Sequence, residues 1–300
     1  MIAVTILGNN SAVPAHDRHP TAQILQTSMH TFLIDCGEGT QMQMNFYKIR
    51  RSKINHIFIS HLHGDHYFGL IGLLTSLALN NRSNELHLYA PPELEAIIEI
   101  QLKVSGAGLS YPLHFHALEK EQIIFEDQKF AVECFKVNHR IECWGFKFRE
   151  KKNLRKINIE EVKKHEIPIS FYDKLHAGKD YVSPKNELIK NELLTTAHAP
   201  AKSYAYCADT VYCESICEKI KGVDLIYHEA TYLHDLEEKA QSRYHSTSKQ
   251  AGLIAKKCGA KKLIIGHFSS MYDSLEKFKE EACEIFENSE ITREGVCYLV

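Results

Sequence analysis

The amino-acid sequence predicts an α/β domain, on three observations. Short strand-like apolar runs alternate with helix-like stretches from one end of the chain to the other. Several of those runs are apolar throughout, as in strands buried on both faces. Three hundred residues, 44% hydrophobic and 25% charged, are enough to build a large core without staples.

In chain order the strand candidates are IAVTIL (2–7), TFLID (31–35), HIFIS (56–60), ELHLYA (85–90), KFAVECFKV (129–137), YAYCA (204–208), VDLIYH (223–228) and KLIIGH (262–267). WGFKF, around the single Trp144, reads as a further core strand. The helix candidates are GLIGLLTSLAL (69–79), PELEAIIEIQLKV (92–104), STSKQAGLIAKKCG (246–259) and SLEKFKEEACEIF (274–286). The third opens on Thr247-Ser248-Lys249-Gln250, a capping-box pattern. The fourth places Leu275, Phe278, Ala282 and Ile285 at helical spacing. Such helices would cover the faces of the sheets.

One stretch breaks the alternation. Residues 149–190 hold eleven Lys or Arg against seven Asp or Glu, a net of +4 in a chain of −2. The stretch is polar and interrupted by Pro168, Gly178 and Pro184, so it reads as an insertion projecting from the main body. The chain as a whole is not basic, so any nucleic-acid binding must be local. The nine cysteines are odd in number, contain no C-x-x-C pair and sit mostly in apolar runs, which points to free thiols in a reducing compartment. The N-terminus starts an apolar strand at once, without a signal-peptide layout. No apolar run approaches the roughly 18 residues of a membrane span. The expectation is a cytoplasmic protein with no membrane partner.

The chemistry concentrates in SHLHGDHYFG (60–69). Chance would supply H-x-H-x-D-H only about 0.002 times in a chain of this composition. In an extended segment His61 and His63 point the same way and can reach one metal ion. Asp65 and His66 follow as the chain turns toward the helix near Gly69, and can reach a second; Gly64 gives the backbone freedom to turn. Imidazole and carboxylate donors without thiolate suit zinc or manganese and tend to leave a position open for water. Four side chains cannot fill two coordination spheres. His139, Asp209 and His267, each where an apolar run ends, are the candidates to complete them.

These motifs resemble those of the metallo-β-lactamase superfamily and, more narrowly, of the ribonuclease Z family. The resemblance runs through LIDCGEGTQ (33–41), ISHLHGDH (59–66), YCADT (206–210), HEATY (228–232), YHSTSKQA (244–251) and GHFSSMY (266–272). HEAT and H-S-T are its more specific parts. It implies a four-layer αββα sandwich over residues 1–300, with 149–193 as an inserted flexible arm that grips transfer RNA. It implies two Zn2+ per subunit, with Mn2+ as an alternative. His61, His63 and His139 would hold the first, Asp65, His66 and His267 the second, and Asp209 would bridge them. Asp35 would support the ligand loop.

The implied activity is zinc-dependent endoribonucleolytic removal of the 3′ trailer from precursor transfer RNA, leaving a 3′-hydroxyl, by a hydroxide activated between two metals. Asp65 would orient or deprotonate the water. His245 would protonate the departing oxygen, and Glu229 would accept a hydrogen bond from its other ring nitrogen. Arg18, Ser270, Tyr272, Lys151, Lys152, Arg155 and Lys156 would touch RNA. The resemblance also implies a homodimer. Two segments depart from the family pattern: Ile167-Pro168-Ile169 replaces a Gly-Pro pair, and His16 replaces a lysine in the segment after the first strand.

A hydrolase of small phosphodiesters, thioesters or lactones is the alternative on the same fold, and HEAT, H-S-T and the basic stretch argue against it. A di-iron oxidoreductase would resemble H-x-E-x-D, with Glu where His63 stands. A catalytically silent RNA-binding protein is disfavoured because no metal ligand is missing.

Overall fold

The computed structural model describes residues 2–151, 154–197 and 200–300. Its strands in chain order begin with β1 (Ala3–Gly8), β2 (Ala22–Gln26), β3 (Thr31–Ile34), β4 (Ile54–Phe58), β5 (Leu86–Ala90) and β6 (Leu113–Ala117). Then come β7 (Gln122–Glu126), β8 (Phe130–Lys136) and β9 (Trp144–Glu150). Four two-residue strands follow, β10 (Lys156–Ile157), β11 (Tyr181–Val182), β12 (Leu188–Ile189) and β13 (Thr195–Thr196). The last are β14 (Ser203–Cys207), β15 (Leu225–Glu229), β16 (Lys262–Gly266), β17 (Ser289–Ile291) and β18 (Cys297–Leu299).

Two seven-stranded sheets result, with orders β18-β1-β2-β3-β4-β5-β6 and β17-β16-β15-β14-β9-β8-β7. Strands β3 to β6 run parallel, as do β14 to β17. The sheets meet through an aromatic layer in which Phe32 lies 5.7 Å from Phe148 and Phe58 lies 5.4 Å from Phe146, centroid to centroid. Outside the first sheet, Leu33, Ile57 and Leu88 pack with Leu73 and Leu77 of helix Leu70–Leu79 and Ile98 of helix Glu93–Ser105. Outside the second, Ile226, Leu263 and Ile265 pack with Ile254 of helix Ser248–Cys258 and Phe278 of helix Glu276–Ile285. The layers are therefore helix, sheet, sheet, helix.

The eight expected strand runs are strands, displaced by no more than a few residues at their ends, and the four expected helices are helices. Thr247 caps its helix in the expected capping box: its hydroxyl accepts from the Gln250 amide, and the Gln250 side chain accepts from the Thr247 amide. Strands β2, β6, β7, β17 and β18 and the two-residue strands β10 to β13 escaped the sequence reading; each forms because a neighbour offers a ladder.

The described residues divide into two compact units. One contains the sheets; the other comprises 127–130 and 150–201. The second is more than a solvated excursion, because it has its own core of Val162, Ile167, Leu175, Tyr181 and Leu194. It extends past the expected end at residue 193, since β13 pairs with β10. Ile167, in the segment that replaces Gly-Pro, is 6% exposed and fills that core. In the first unit, Arg149 and Ser203 face each other in the antiparallel β9–β14 ladder. The insertion thus occupies the position of a hairpin loop.

Candidate active site

The C-terminal ends of β3, β4, β14, β15 and β16 bring Asp35, the His61–His66 segment, Asp209, Glu229 and His267 to one edge of the two sheets, the usual place for a site on parallel strands. His139 follows β8 and His245 precedes the capped helix. His61 and His66 are fully buried, and Asp209 and His267 nearly so.

Two donor sets emerge. His61, His63, His139 and Asp209 form one, and Asp65, His66, Asp209 and His267 the other. In the first, His63 Nδ1 lies 3.0 Å from His61 Nε2 and 3.1 Å from His139 Nε2. Asp209 Oδ2 is 3.7 Å from His61 Nε2 and 4.0 Å from His139 Nε2. In the second, His267 Nε2 lies 3.3 Å from Asp65 Oδ2, 3.2 Å from Asp209 Oδ1 and 3.3 Å from His66 Nε2. Donors around one tetrahedral ion at zinc-like bond lengths are separated by roughly 3.3–3.5 Å, so both sets fit a divalent ion. Asp209 turns one oxygen toward each set. Its Oδ1 is buried and accepts no hydrogen bond from the protein, which leaves it available as a ligand.

The outer atoms of the rings decide which nitrogen faces inward. His66 Nδ1 bonds Asp35 Oδ2 at 2.8 Å, and His139 Nδ1 donates to the Tyr244 carbonyl at 2.9 Å. His267 Nδ1 meets the Thr231 hydroxyl at 3.0 Å, and His61 Nδ1 lies 3.0 Å from Ser60 Oγ. Each of these four rings is left with Nε2 toward the centre. His63 is reversed: Nδ1 faces the centre and Nε2 lies 3.1 Å from Arg140 Nη2. Asp35 is the hub beneath them. It also accepts from the Ser60 amide (2.7 Å), the Ser60 hydroxyl (2.8 Å) and the Tyr206 phenol (2.6 Å).

The electrostatics suit a bound cation. Burial, and then the charge of His66, hold His61 well below the ordinary histidine range. Burial and His139 push His63 down to about 4. Both rings keep their lone pairs at neutral pH. Burial opposes ionisation of Asp65 and Asp209, but the surrounding histidines outweigh it and both carboxylates lie below their usual range. Burial also disfavours a charged His66, yet Asp209, Asp65 and Asp35 overcome it and hold that ring well above its ordinary value. A field that keeps a buried imidazole positive also favours a metal ion.

His245 belongs to a third group of close donor atoms, with Glu229 and His267, and lines the same cleft. Its Nδ1 is 2.8 Å from Glu229 Oε1. Burial works against the charged ring, but the Glu229 carboxylate raises it to about 9. Glu229 is fully buried and accepts from the Thr210 amide, the Thr231 amide and the Thr231 hydroxyl. The Thr231 hydroxyl therefore ties Glu229 to His267. The Glu229 carboxylate therefore favours the protonated form of the His245 ring.

Residues 2–154 match a family model described as Anti-Pycsar protein Apyc1. That stretch includes His139 and stops short of Asp209, Glu229, His245 and His267. Over its whole length the chain is 39% identical across 297 residues to the Ribonuclease Z of Bacteroides thetaiotaomicron, covering 98% of this chain and 94% of that one. It is 44% identical across 300 residues to the Ribonuclease Z of Cytophaga hutchinsonii, covering 98% and 95%. The chain belongs to the ribonuclease Z family. The fold of this family member is also that of human tRNase Z, short form, with a TM-score of 0.72, 24% identity, and 99% of this chain and 98% of that one covered.

Several residues expected to touch RNA are placed otherwise in this ribonuclease Z family member. The Arg18 guanidinium donates to Asn10 Oδ1 and to the carbonyls of Tyr272 and Asp273, so it braces two loops. Tyr272 turns inward; its phenol accepts from the Leu233 amide and its ring packs edge-on against Phe278. Within the inserted unit, Lys151 Nζ bonds the Asp127 carbonyl and Arg155 Nε bonds Thr195 Oγ1. Lys156 is exposed, and Ser270 lines the cleft. Lys152 lies outside the described residues. His16, in place of the family lysine, bonds the Ser270 carbonyl at 2.9 Å.

Sequence reasoning missed five residues of the site. Tyr206, Thr231 and Tyr244 lie inside YCADT, HEATY and YHSTSKQA, but the site partners that give them a role, Asp35, His267 and His139, lie 171, 36 and 105 residues away. Arg140 and Arg243 line the cleft, and only adjacency to His139 and to Tyr244 could have marked them.

Proposed function

We propose that this chain is a metal-dependent endoribonuclease that removes the 3′ trailer from precursor transfer RNA. The observation that carries the reading is His245, bonded through Nδ1 to the buried Glu229 carboxylate and lining the same cleft as two metal-competent donor sets that share Asp209. His61, His63, His139 and Asp209 would hold one ion, and Asp65, His66, Asp209 and His267 the other. The imidazole-rich donor sets suit zinc, with manganese as the alternative, two ions per chain. When bound, such a pair lowers the pKa of a water and neutralises charge on phosphoryl oxygens.

The chain's own residues supply the rest. Asp65 faces the cleft, anchored by the Ala12 amide at 2.7 Å, and orients the attacking water. As the water oxygen bonds to phosphorus, the bond from phosphorus to the 3′-oxygen of the transfer RNA breaks. His245 gives its proton to that oxygen, and Glu229 stabilises the charged ring beforehand. The trailer departs with the phosphate. Arg140 and Arg243, on the cleft walls, pair with neighbouring phosphates. Lys156, Lys163, Lys179 and Lys185 are exposed on the inserted unit and supply a sequence-independent grip on folded RNA.

The family reading extends to a homodimer and a cytoplasmic location. Among the described residues no helix is long and apolar enough to cross a membrane. The deciding experiment is cleavage of a trailer-bearing precursor transfer RNA with and without a chelator, with the product ends identified. A metal-dependent cut leaving a 3′-hydroxyl on the transfer RNA supports the reading. Turnover of small phosphodiesters with an uncut precursor would replace it with the small-substrate hydrolase.

A further inference from the structure

Polar and charged groups dominate the cleft: Asp65, Asp209, His139 and His245, with Arg140 and Arg243. Phe68 lines the same cleft and is 63% exposed. Tyr232, the other phenyl-type side chain among the described lining residues, is only 9% exposed. Phe68 is thus the one open phenyl-type ring among the described residues that line the cleft.

Its position is built into the fold. Phe68 follows helix Gly64–Tyr67, three residues after Asp65. Its ring packs across Gly64, where a Cβ would come within 2.2 Å of a ring carbon. Tyr67 meets it edge-on, with centroids 4.9 Å apart. The next residues, Leu70, Leu73 and Leu74, are buried in the core beneath the first sheet, whereas Phe68 stays open to the cleft. Nothing in the proposed mechanism uses it. A flat ring beside a cleft that also carries Arg140 and Arg243 matches the base of a single-stranded nucleotide. Stacking of that kind accepts any base, because every base has a π-face.

We propose that Phe68 is the stacking platform for one of the two bases that flank the scissile phosphate. The inference rests on the endoribonuclease reading above. Stacking there holds the nucleotide while the arginines take its phosphate, so the phosphorus is presented to Asp65 and His245 in a fixed orientation.

The test is a cycle between protein and RNA. Wild type, Phe68→Ala, Phe68→Leu and Phe68→Trp are assayed on precursor transfer RNA, and on the same RNA made abasic at the nucleotide on either side of the cut. Bound zinc is counted in every variant. On intact RNA, Phe68→Ala and Phe68→Leu are expected to lose about tenfold or more in kcat/KM, while Phe68→Trp keeps wild-type activity. On the RNA abasic at the stacked position, all four proteins converge to within about twofold. Zinc content is unchanged throughout. Losses from the substitution and the missing base that simply multiply would overturn the stacking platform, as would a loss of zinc in Phe68→Leu. If the wild-type protein leaves the precursor uncut, the endoribonuclease reading fails and this inference falls with it.

Discussion

Asp35 shows how much of the site hangs on one side chain. Its two oxygens accept four hydrogen bonds, from Ser60 twice, His66 and Tyr206, and its backbone is left-handed at φ 55°. Asp35→Ala removes the partner that orients His66, and zinc affinity should fall about 10- to 100-fold, measured by competition with a chromophoric chelator. Asp65 is asked to do more than hold metal. Asp65→Ala should lower cleavage by roughly 10²–10⁴-fold while filter binding of precursor RNA stays near wild type; normal cleavage would refute its role. On the proposed mechanism His245 is the acid. Its raised value of about 9 means that the protonated form is present below that pH and lost above it. The rate should therefore decline on an alkaline limb as that proton is lost. Glu229→Gln removes the charge that raises the ring, so the limb should move to lower pH, as a pH–rate profile would show.

At the scale of elements, the site is made by strand ends and one helix start. His267 leaves β16 with φ 63° and Tyr244 precedes His245 with φ 60°, both in a region that ordinary residues rarely occupy. The Tyr244 carbonyl receives the His139 Nδ1 proton, so this turn serves two loops at once. The capped helix then fixes the chain two residues beyond His245. Thr247 is fully buried, and Thr247→Ala removes the cap. A loss of about 1 kcal/mol of stability is expected, measured by urea unfolding, and a change of only a few tenths would show that packing alone sets the helix start.

For the whole molecule, parallel strands in both sheets deliver their C-terminal ends to the same edge, and the inserted unit leaves that arrangement intact. Its attachment points, Arg149 and Ser203, are partners in one antiparallel ladder, and its core is its own. Replacing 150–201 with a short glycine linker should therefore leave a folded enzyme. Hydrolysis of a small phosphodiester should remain within a fewfold of wild type, while kcat/KM on precursor transfer RNA should collapse. Equal loss on both substrates would count against an RNA-gripping unit.

The sequence alone determined the donor chemistry and much of the frame. H-x-H-x-D-H is a local pattern, and local patterns survive in one dimension. The same is true of the eight apolar strand runs, the capping box at Thr247 and the helical stripe through Phe278 and Ala282. Each of those signals lies within about a dozen residues. Only the tertiary structure decided which nitrogen of each histidine faces the centre, because the deciding partners lie 31 residues away for His66 and 105 for His139. It alone turned the two Asp209 oxygens toward different donor sets. It also engaged Arg18 and Tyr272 within the protein, where loop carbonyls, a backbone amide and the Phe278 ring met groups that the resemblance had turned toward RNA. A side chain's type is written in the sequence, but the direction of its lone pair is set by neighbours that only folding supplies.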